Sequence, residues 1–297
     1  MIAESELREF APAKVNLALH VVGRRADGYH LLDSLVAFAG VGDVLPFRAA
    51  DRLDLTLSGP GAQALAAESN NIVLRAAHRL AEAAGIVPRA AIILDKRLPV
   101  ASGIGGGSAD AAAALRGLTR LWSLRLTDSE MAAVALGLGA DVPVCLFGHT
   151  AILGGIGERI EAAPPLPPGW LVLVNPGQPL STPAVFRARA ARYPDGNFRP
   201  SESMTQVPVD IRAFATVLGQ WRNDLTEAAC ALVPEIETVI TALGRQPGCL
   251  LARMSGSGAT SFGLFADEAA ADAAARRLQS EQPRWWTVAA PLLGEPR

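Results

Sequence analysis

Cysteine is scarce in this 297-residue chain: Cys145, Cys230 and Cys249 are its three, widely spaced and without a C-x-x-C pair. That excludes a disulfide framework and fits a reducing compartment. The four histidines, His20, His30, His78 and His149, lack zinc-ligand spacing, so no structural metal is expected. Charge is sparse too, at 19% of residues with a formal net of -2. It offers no chain-wide field for nucleic acid or for an anionic membrane surface, and neither is expected as a partner. No apolar run is long enough to cross a bilayer, since the best, Met131 to Phe147, is broken by Asp141 and Pro143. The first ten residues carry Glu4, Glu6, Arg8 and Glu9 and lack the apolar stretch of a secretory signal. A soluble, cytoplasmic protein is expected.

What the chain has in quantity is hydrophobic side chains, half of all residues, enough for a sizeable core. The length suits two domains. Ala13 to Val22 alternates, with Val15, Leu17, Leu19 and Val21 against Lys14, Asn16, Ala18 and His20, which predicts a half-buried strand. Further strands are expected at Asp51–Leu57, Ala90–Leu94, Trp170–Val174 and Thr260–Phe265. Helices are expected at Asn71–Ala84 with Gly85 as the stop, Ala109–Leu121, over most of Asn223–Leu243, and at Asp267–Leu278. Thr127-Asp-Ser-Glu130 has the form of a capping box opening a helix to about Gly137. Prolines 164, 165, 167 and 168 followed by Gly169 make the sharpest break in composition. The expectation is an α+β protein with domains 1–162 and 163–297 and no internal repeat.

The segment richest in chemistry is Leu98-Pro-Val-Ala-Ser-Gly-Ile-Gly-Gly-Gly-Ser-Ala-Asp-Ala-Ala-Ala-Ala114, between an expected strand and an expected helix. Gly103, Gly105, Gly106 and Gly107 lack the Cβ atoms that would keep backbone N–H groups from phosphate oxygens. The helix start adds unpaired N–H groups and the positive end of its dipole. A tight turn with Ser108 as N-cap is the plainer alternative, but it would not need four glycines. No lysine follows Gly107, so the loop is not a Walker A motif. The third position of a dinucleotide fingerprint is Ser108, and protein-kinase signatures are absent.

Pro99 to Ala112 resembles the phosphate loop of the galactokinase, homoserine kinase, mevalonate kinase and phosphomevalonate kinase (GHMP) superfamily. Ala11-Pro-Ala-Lys-Val-Asn-Leu17 is similar to its first motif and Met254-Ser-Gly-Ser-Gly-Ala-Thr-Ser-Phe262 to its third. Arg24-Arg-Ala-Asp-Gly-Tyr-His-Leu-Leu32 and Leu138-Gly-Ala-Asp-Val-Pro-Val144 resemble the branch whose alcohol carries a cytidine diphosphate and feeds non-mevalonate isoprenoid synthesis. The likeness covers nearly the whole chain. It implies a two-domain fold with the active site in the cleft between domains. The implied activity is ATP-dependent phosphorylation of the substrate's 2-hydroxyl, with Mg²⁺ accompanying ATP and no metal ligand assignable. The loop departs from the family pattern at Ile104, usually leucine, and at Ala109, often a second hydroxyl residue.

The same resemblance implies the roles of single residues. Lys14 steers the acceptor hydroxyl and Asp141 takes its proton; on sequence alone Lys14 could be mere solvent exposure, and Asp141 a helix cap ahead of Pro143. ATP falls to the loop residues Pro99, Val100, Ala101, Ser102, Gly103, Ile104, Gly105, Gly106, Gly107, Ser108 and Ala109, with Asn71, Ile72 and Lys96 beside the adenine. On the substrate side stand Asn16 and Thr182, with Tyr29 and Phe186 as platforms for the cytosine ring and His30 bonding its edge. Phe186 as core and Tyr29 as a turn residue stay open on local sequence. Ser255, Gly256, Ser257 and Gly258 form a second glycine turn in a supporting role.

Overall fold

The computed structural model describes residues 7–66, 68, 70–198 and 207–294. The chain opens with β1 (Leu7–Arg24), β2 (His30–Arg48), β3 (Leu53–Ser58), α1 (Ala62–Leu65), α2 (Ile72–Ala84), β4 (Ala90–Asp95) and α3 (Gly106–Leu121). Then come α4 (Asp128–Leu136), α5 (Val142–Phe147), β5 (Ala151–Gly155), β6 (Arg159–Ala162), β7 (Trp170–Asn175) and α6 (Thr182–Arg192). It closes with α7 (Ile211–Gln220), α8 (Thr226–Leu232), α9 (Glu235–Gly244), β8 (Cys249–Met254), β9 (Ser261–Phe265), α10 (Glu268–Glu281) and β10 (Trp286–Leu293). The α+β class is as expected.

Two compact units divide these elements. The first holds the described residues up to Ala13, Gly42–Val100 and Gly105–Phe147; the second holds Lys14–Val41, Ala101–Ile104 and the described residues from Gly148 onward. This differs from a single cut at 162/163, because the long strands β1 and β2 contribute to both units. In the first unit β3 pairs in parallel with β4, through a crossover carrying α1 and α2, and β4 pairs antiparallel with the end of β2. In the second, Leu32–Val36 of β2 pairs with β5 and Ala39 with Leu292 of β10. The order continues antiparallel through β7, β9 and β8.

Local signals set several element ends where the sequence places them. Asn71 caps α2 by accepting from the Val73 N–H at 2.9 Å, and Gly85 closes it in the left-handed conformation. The capping box of α4 forms with both of its bonds. Three expectations change. β1 is buried on both faces from Ala11 to Val21 rather than on one, because the segment around Arg222–Asp224 bonds along it at Leu19 and Ser255 bonds it at Asn16. The helix expected from Ala109 begins at Gly106, and the one expected over most of Asn223–Leu243 is cut at Pro234 into α8 and α9.

Packing in the first unit hinges on a glycine. A Cβ on Gly117, in the middle of α3, would lie 2.4–2.8 Å from the buried Phe47 ring. The helix therefore rests directly on β2. Gly117→Val is expected to cost about 1–3 kcal/mol by overpacking and to lower the thermal midpoint; an unchanged midpoint would mean that the helix and strand have room to spare.

Candidate active site

The first unit builds the start of α3. Gly105 adopts the left-handed conformation at the N-cap position, and the Ala109 N–H makes the first helical bond to its carbonyl at 2.8 Å. The N–H groups of Gly106, Gly107 and Ser108 thus lack partners within the helix. Ser108 is the third residue of the helix and not its cap. Positive φ belongs to Gly103 and Gly105, and also to Ala101. Gly106 has no such φ, and what it needs is space: a Cβ there would stand 3.1 Å from Lys96 Nζ.

Lys96 is almost fully buried at the foot of this turn. Its ammonium donates to Asp43 Oδ2 at 2.6 Å and to Asp110 Oδ2 at 2.7 Å. Asp43 Oδ1 accepts the Arg97 and Leu98 N–H groups, so this one carboxylate ties β2 to the chain entering the loop. Asp110 is less well served, because its buried Oδ1 has no hydrogen-bond partner among the described residues. Burial above all, reinforced by the negative Asp43 and opposed by Lys96, raises its carboxyl to about 7. Ile72 comes closest to a Cβ placed on Gly107, at 3.9 Å. Ile72 and Lys96 therefore stand beside the loop, and the lysine ammonium is committed to carboxylates. Ala109 is buried on the core side of α3.

The second unit joins three sequence motifs. The Lys14 N–H donates to the Ile104 carbonyl at 2.9 Å, and Lys14 Nζ donates to Asn16 Oδ1 at 3.0 Å. Asn16 Nδ2 donates to Ser34 Oγ at 2.8 Å, which in turn donates to the Ala18 carbonyl. The amide is thereby held with its oxygen toward the lysine. Ser255 Oγ accepts the Asn16 N–H and donates to the Gly103 carbonyl, both at 3.1 Å. The Thr260 N–H donates to the Ser102 carbonyl. Bare glycines make the approach possible: a Cβ on Gly103 would lie 2.5 Å from the Gly258 carbonyl oxygen, and one on Gly256 2.8 Å from that of Gly103. Thr182 Oγ1 and Ser257 Oγ share a hydrogen bond of 2.8 Å. Asn223, which the sequence did not single out, donates to the carbonyls of Met254 and Gly256 and so fixes the turn.

Around the expected cytosine platform the rings are arranged as follows. His30 and Phe186 stack on each other, centroids 4.9 Å apart at 24°. Tyr29 is 61% exposed. Burial first, then the cations Arg189 and Arg24, holds the His30 imidazole below its usual range.

The expected site residues sort by unit. Lys14, Asn16, Tyr29, His30, Thr182 and Phe186 belong to the second, together with Ala101–Ile104. Asn71, Ile72, Lys96, Pro99, Val100 and Gly105–Ala109 belong to the first, with Asp141. Asp141 immediately precedes α5, and its carbonyl accepts the Cys145 N–H at 3.2 Å.

Residues 71–149 match the model of the GHMP kinases N terminal domain and residues 210–284 that of the GHMP kinases C terminal domain. The chain is a small-molecule kinase of the GHMP class. It is 55% identical to the 4-diphosphocytidyl-2-C-methyl-D-erythritol kinase of Paramagnetospirillum magneticum over 95% of this chain and 97% of that one. With the same enzyme of Rhodospirillum rubrum the identity is 52%, over 99% and 95%. The chain belongs to the 4-diphosphocytidyl-2-C-methyl-D-erythritol kinase family. A crystal structure of 4-(cytidine 5'-diphospho)-2C-methyl-D-erythritol kinase superimposes with a TM-score of 0.78 at 36% identity, covering 97% of this chain and 99% of that one. The fold extends to L. major mevalonate kinase, at a TM-score of 0.64 and 18% identity over 95% of both chains.

The raised Asp110 carboxyl has a measurable consequence. Unfolded, it loses its proton near about 4, so between about pH 4 and about 7 the folded state holds a proton that the unfolded state has released. Stability falls as pH rises through that window. Asp110→Asn cannot titrate. The stability of wild type relative to this variant is expected to drop by at least about 1 kcal/mol between pH 4.5 and 7.5, read from denaturant midpoints. Parallel pH curves would contradict the buried, proton-holding carboxyl.

Proposed function

We propose that the chain transfers the terminal phosphate of ATP to the 2-hydroxyl of 4-diphosphocytidyl-2-C-methyl-D-erythritol, a cytoplasmic step of non-mevalonate isoprenoid precursor synthesis. The observation that carries this reading is the junction of Lys14, Asn16 and the Ser255 turn with Ser102–Ile104, in a chain whose relatives match nearly its whole length. The three cysteines form no disulfide, and no helix among the described residues is long and apolar enough to cross a membrane.

Phosphoryl transfer to an alcohol rests on positioning, on charge neutralisation, and on a group that accepts the hydroxyl proton. The unpaired N–H groups of Gly106, Gly107 and Ser108 and the dipole of α3 receive the phosphates. Asn71, Ile72 and the backbone and methylenes of Lys96 line the adenine side. Mg²⁺ accompanies ATP and neutralises phosphate charge. No cluster of three acidic, histidine or cysteine side chains suited to a metal occurs among the described residues, so no acidic ligand is named, and the Ser108 hydroxyl is one group that would contribute. Lys14, held by Asn16, lowers the cost of alkoxide character on the acceptor, and Asp141 takes the proton. Tyr29 and Phe186 platform the cytosine, His30 bonds its edge, and Thr182 contacts the substrate.

Asp141→Asn separates base from cap. As a cap asparagine serves about as well as aspartate, whereas an amide cannot accept a proton at neutral pH. The variant is expected to keep its melting temperature and ATP affinity and to lose at least about a hundredfold in kcat. Lys14→Met should lower kcat too, with non-additive losses in the double variant if both act on one hydroxyl. Near-normal turnover of folded Asp141→Asn would leave the reaction to positioning and electrostatics.

Tyr29→Ala and Phe186→Ala are expected to raise KM for the cytidylyl substrate roughly ten- to hundredfold, from stacking of about 1–3 kcal/mol per base. KM for ATP should hardly move. Equal rises in both constants would make the rings structural.

A further inference from the structure

Within the second unit a cavity of about 140 Å³ opens beside α6, lined among others by Arg24, His30, Arg189, Tyr193, Asp195 and Phe198. A water occupies about 30 Å³, and pockets for drug-sized ligands begin near about 300 Å³. The space therefore suits one small polar group.

Arg189 is the unusual lining residue. It is 2% exposed; Nη2 donates to the Gly196 carbonyl at 3.1 Å, while Nε and Nη1 are buried with no acceptor among the described residues. The rings of Tyr193 and Phe198 stand 5.6 and 5.8 Å from its guanidinium carbon. They hold the cation by its π faces but give its in-plane N–H groups no lone pair. A buried donor without an acceptor is costly, more so when charged. Arg24 brings a second cation from the exposed side, against Asp195 in the lining and Asp224 behind it, whose charge also reaches Arg189. The lining has a surplus of positive charge and of donors.

We propose that this cavity is an oxyanion site, in which Arg189, helped by Arg24, binds one phosphate or carboxylate group. The group belongs either to the substrate or to a separate small anion; the chemistry of recognition is the same. This goes beyond the kinase reading and does not depend on it.

The test uses inorganic phosphate as the probe and the His30 ring resonances as the reporter, assigned through His30→Gln. A saturating non-hydrolysable ATP analogue keeps the glycine loop occupied. Wild-type protein should show a saturable shift, and Arg189→Met should weaken binding roughly ten- to hundredfold, as for a hydrogen bond to a charged group. Displacement of phosphate by the cytidylyl substrate but not by cytidine would assign the site to the substrate's own phosphates, and displacement by neither would assign it to a free anion. Absence of a saturable shift in wild type, or an unchanged curve in folded Arg189→Met, overturns the proposal. Should that variant fail to fold, the exposed Arg24→Gln takes its place, and there too an unchanged curve is fatal. The readout involves no turnover, so its failure is distinct from failure of the kinase assay.

Discussion

The hydroxyl of Ser255 is the smallest group on which the most structure depends. It is acceptor to the backbone of β1 at Asn16 and donor to the carbonyl of Gly103, so one buried oxygen joins three segments far apart in sequence. A hydroxyl can do this because it carries both a donor and acceptor lone pairs. Its neighbours must be glycines, since a Cβ on Gly103 or Gly256 would collide with backbone of the facing turn. The third motif is thus a bracket that sets where the loop leaves the second unit.

The first unit anchors the other end of that loop by charge. Asp43 holds Lys96 and two N–H groups of the chain leading into the loop, and Lys96 holds Asp110 in the first turns of α3. Ion pairs buried this deeply offer little net stability against apolar replacements, but breaking one by removing a partner typically costs about 3–5 kcal/mol. The arrangement therefore specifies geometry: the helix start that offers its N–H groups cannot shift without breaking the buried Lys96–Asp110 bond. Gly106 has to be bare because this lysine lies directly beneath it.

Much of this was legible in the sequence where local chemistry decides. Asn71 and Gly85 mark α2, Thr127 and Glu130 open α4, and the glycine run marks the helix start, although the missing Cβ atoms moved that start from Ala109 to Gly106. β2 and β10 were not legible. Gly40, Gly42, Pro46 and Pro291 interrupt their alternation, and the reason for two of them is tertiary, since a Cβ on Gly42 would meet the Ala11 carbonyl and one on Gly40 the Pro291 ring. The same long strands hid the division of the chain, placing Lys14 and His30 in the unit that holds Thr182 and Phe186. A signal for Asp110 did exist, as the lone charge in the alanine stretch of α3, whereas Asp43, Asn223 and Arg253 carry no local pattern at all.

Three buried cations show how strictly this protein otherwise accounts for charge. Lys96 is met by two carboxylates. Arg253, pulled down to about 10 by burial, donates to the carbonyls of Leu17, Leu218 and Trp221 and so ties β8 to β1 and to the end of α7. Arg189 is buried as deeply but has one carbonyl and two idle donors. A purely structural arginine would be expected to resemble Arg253, since nearby carbonyls are the cheapest acceptors available to a folding chain. That Arg189 instead faces a cavity with a second arginine near it points to an acceptor beyond the described residues.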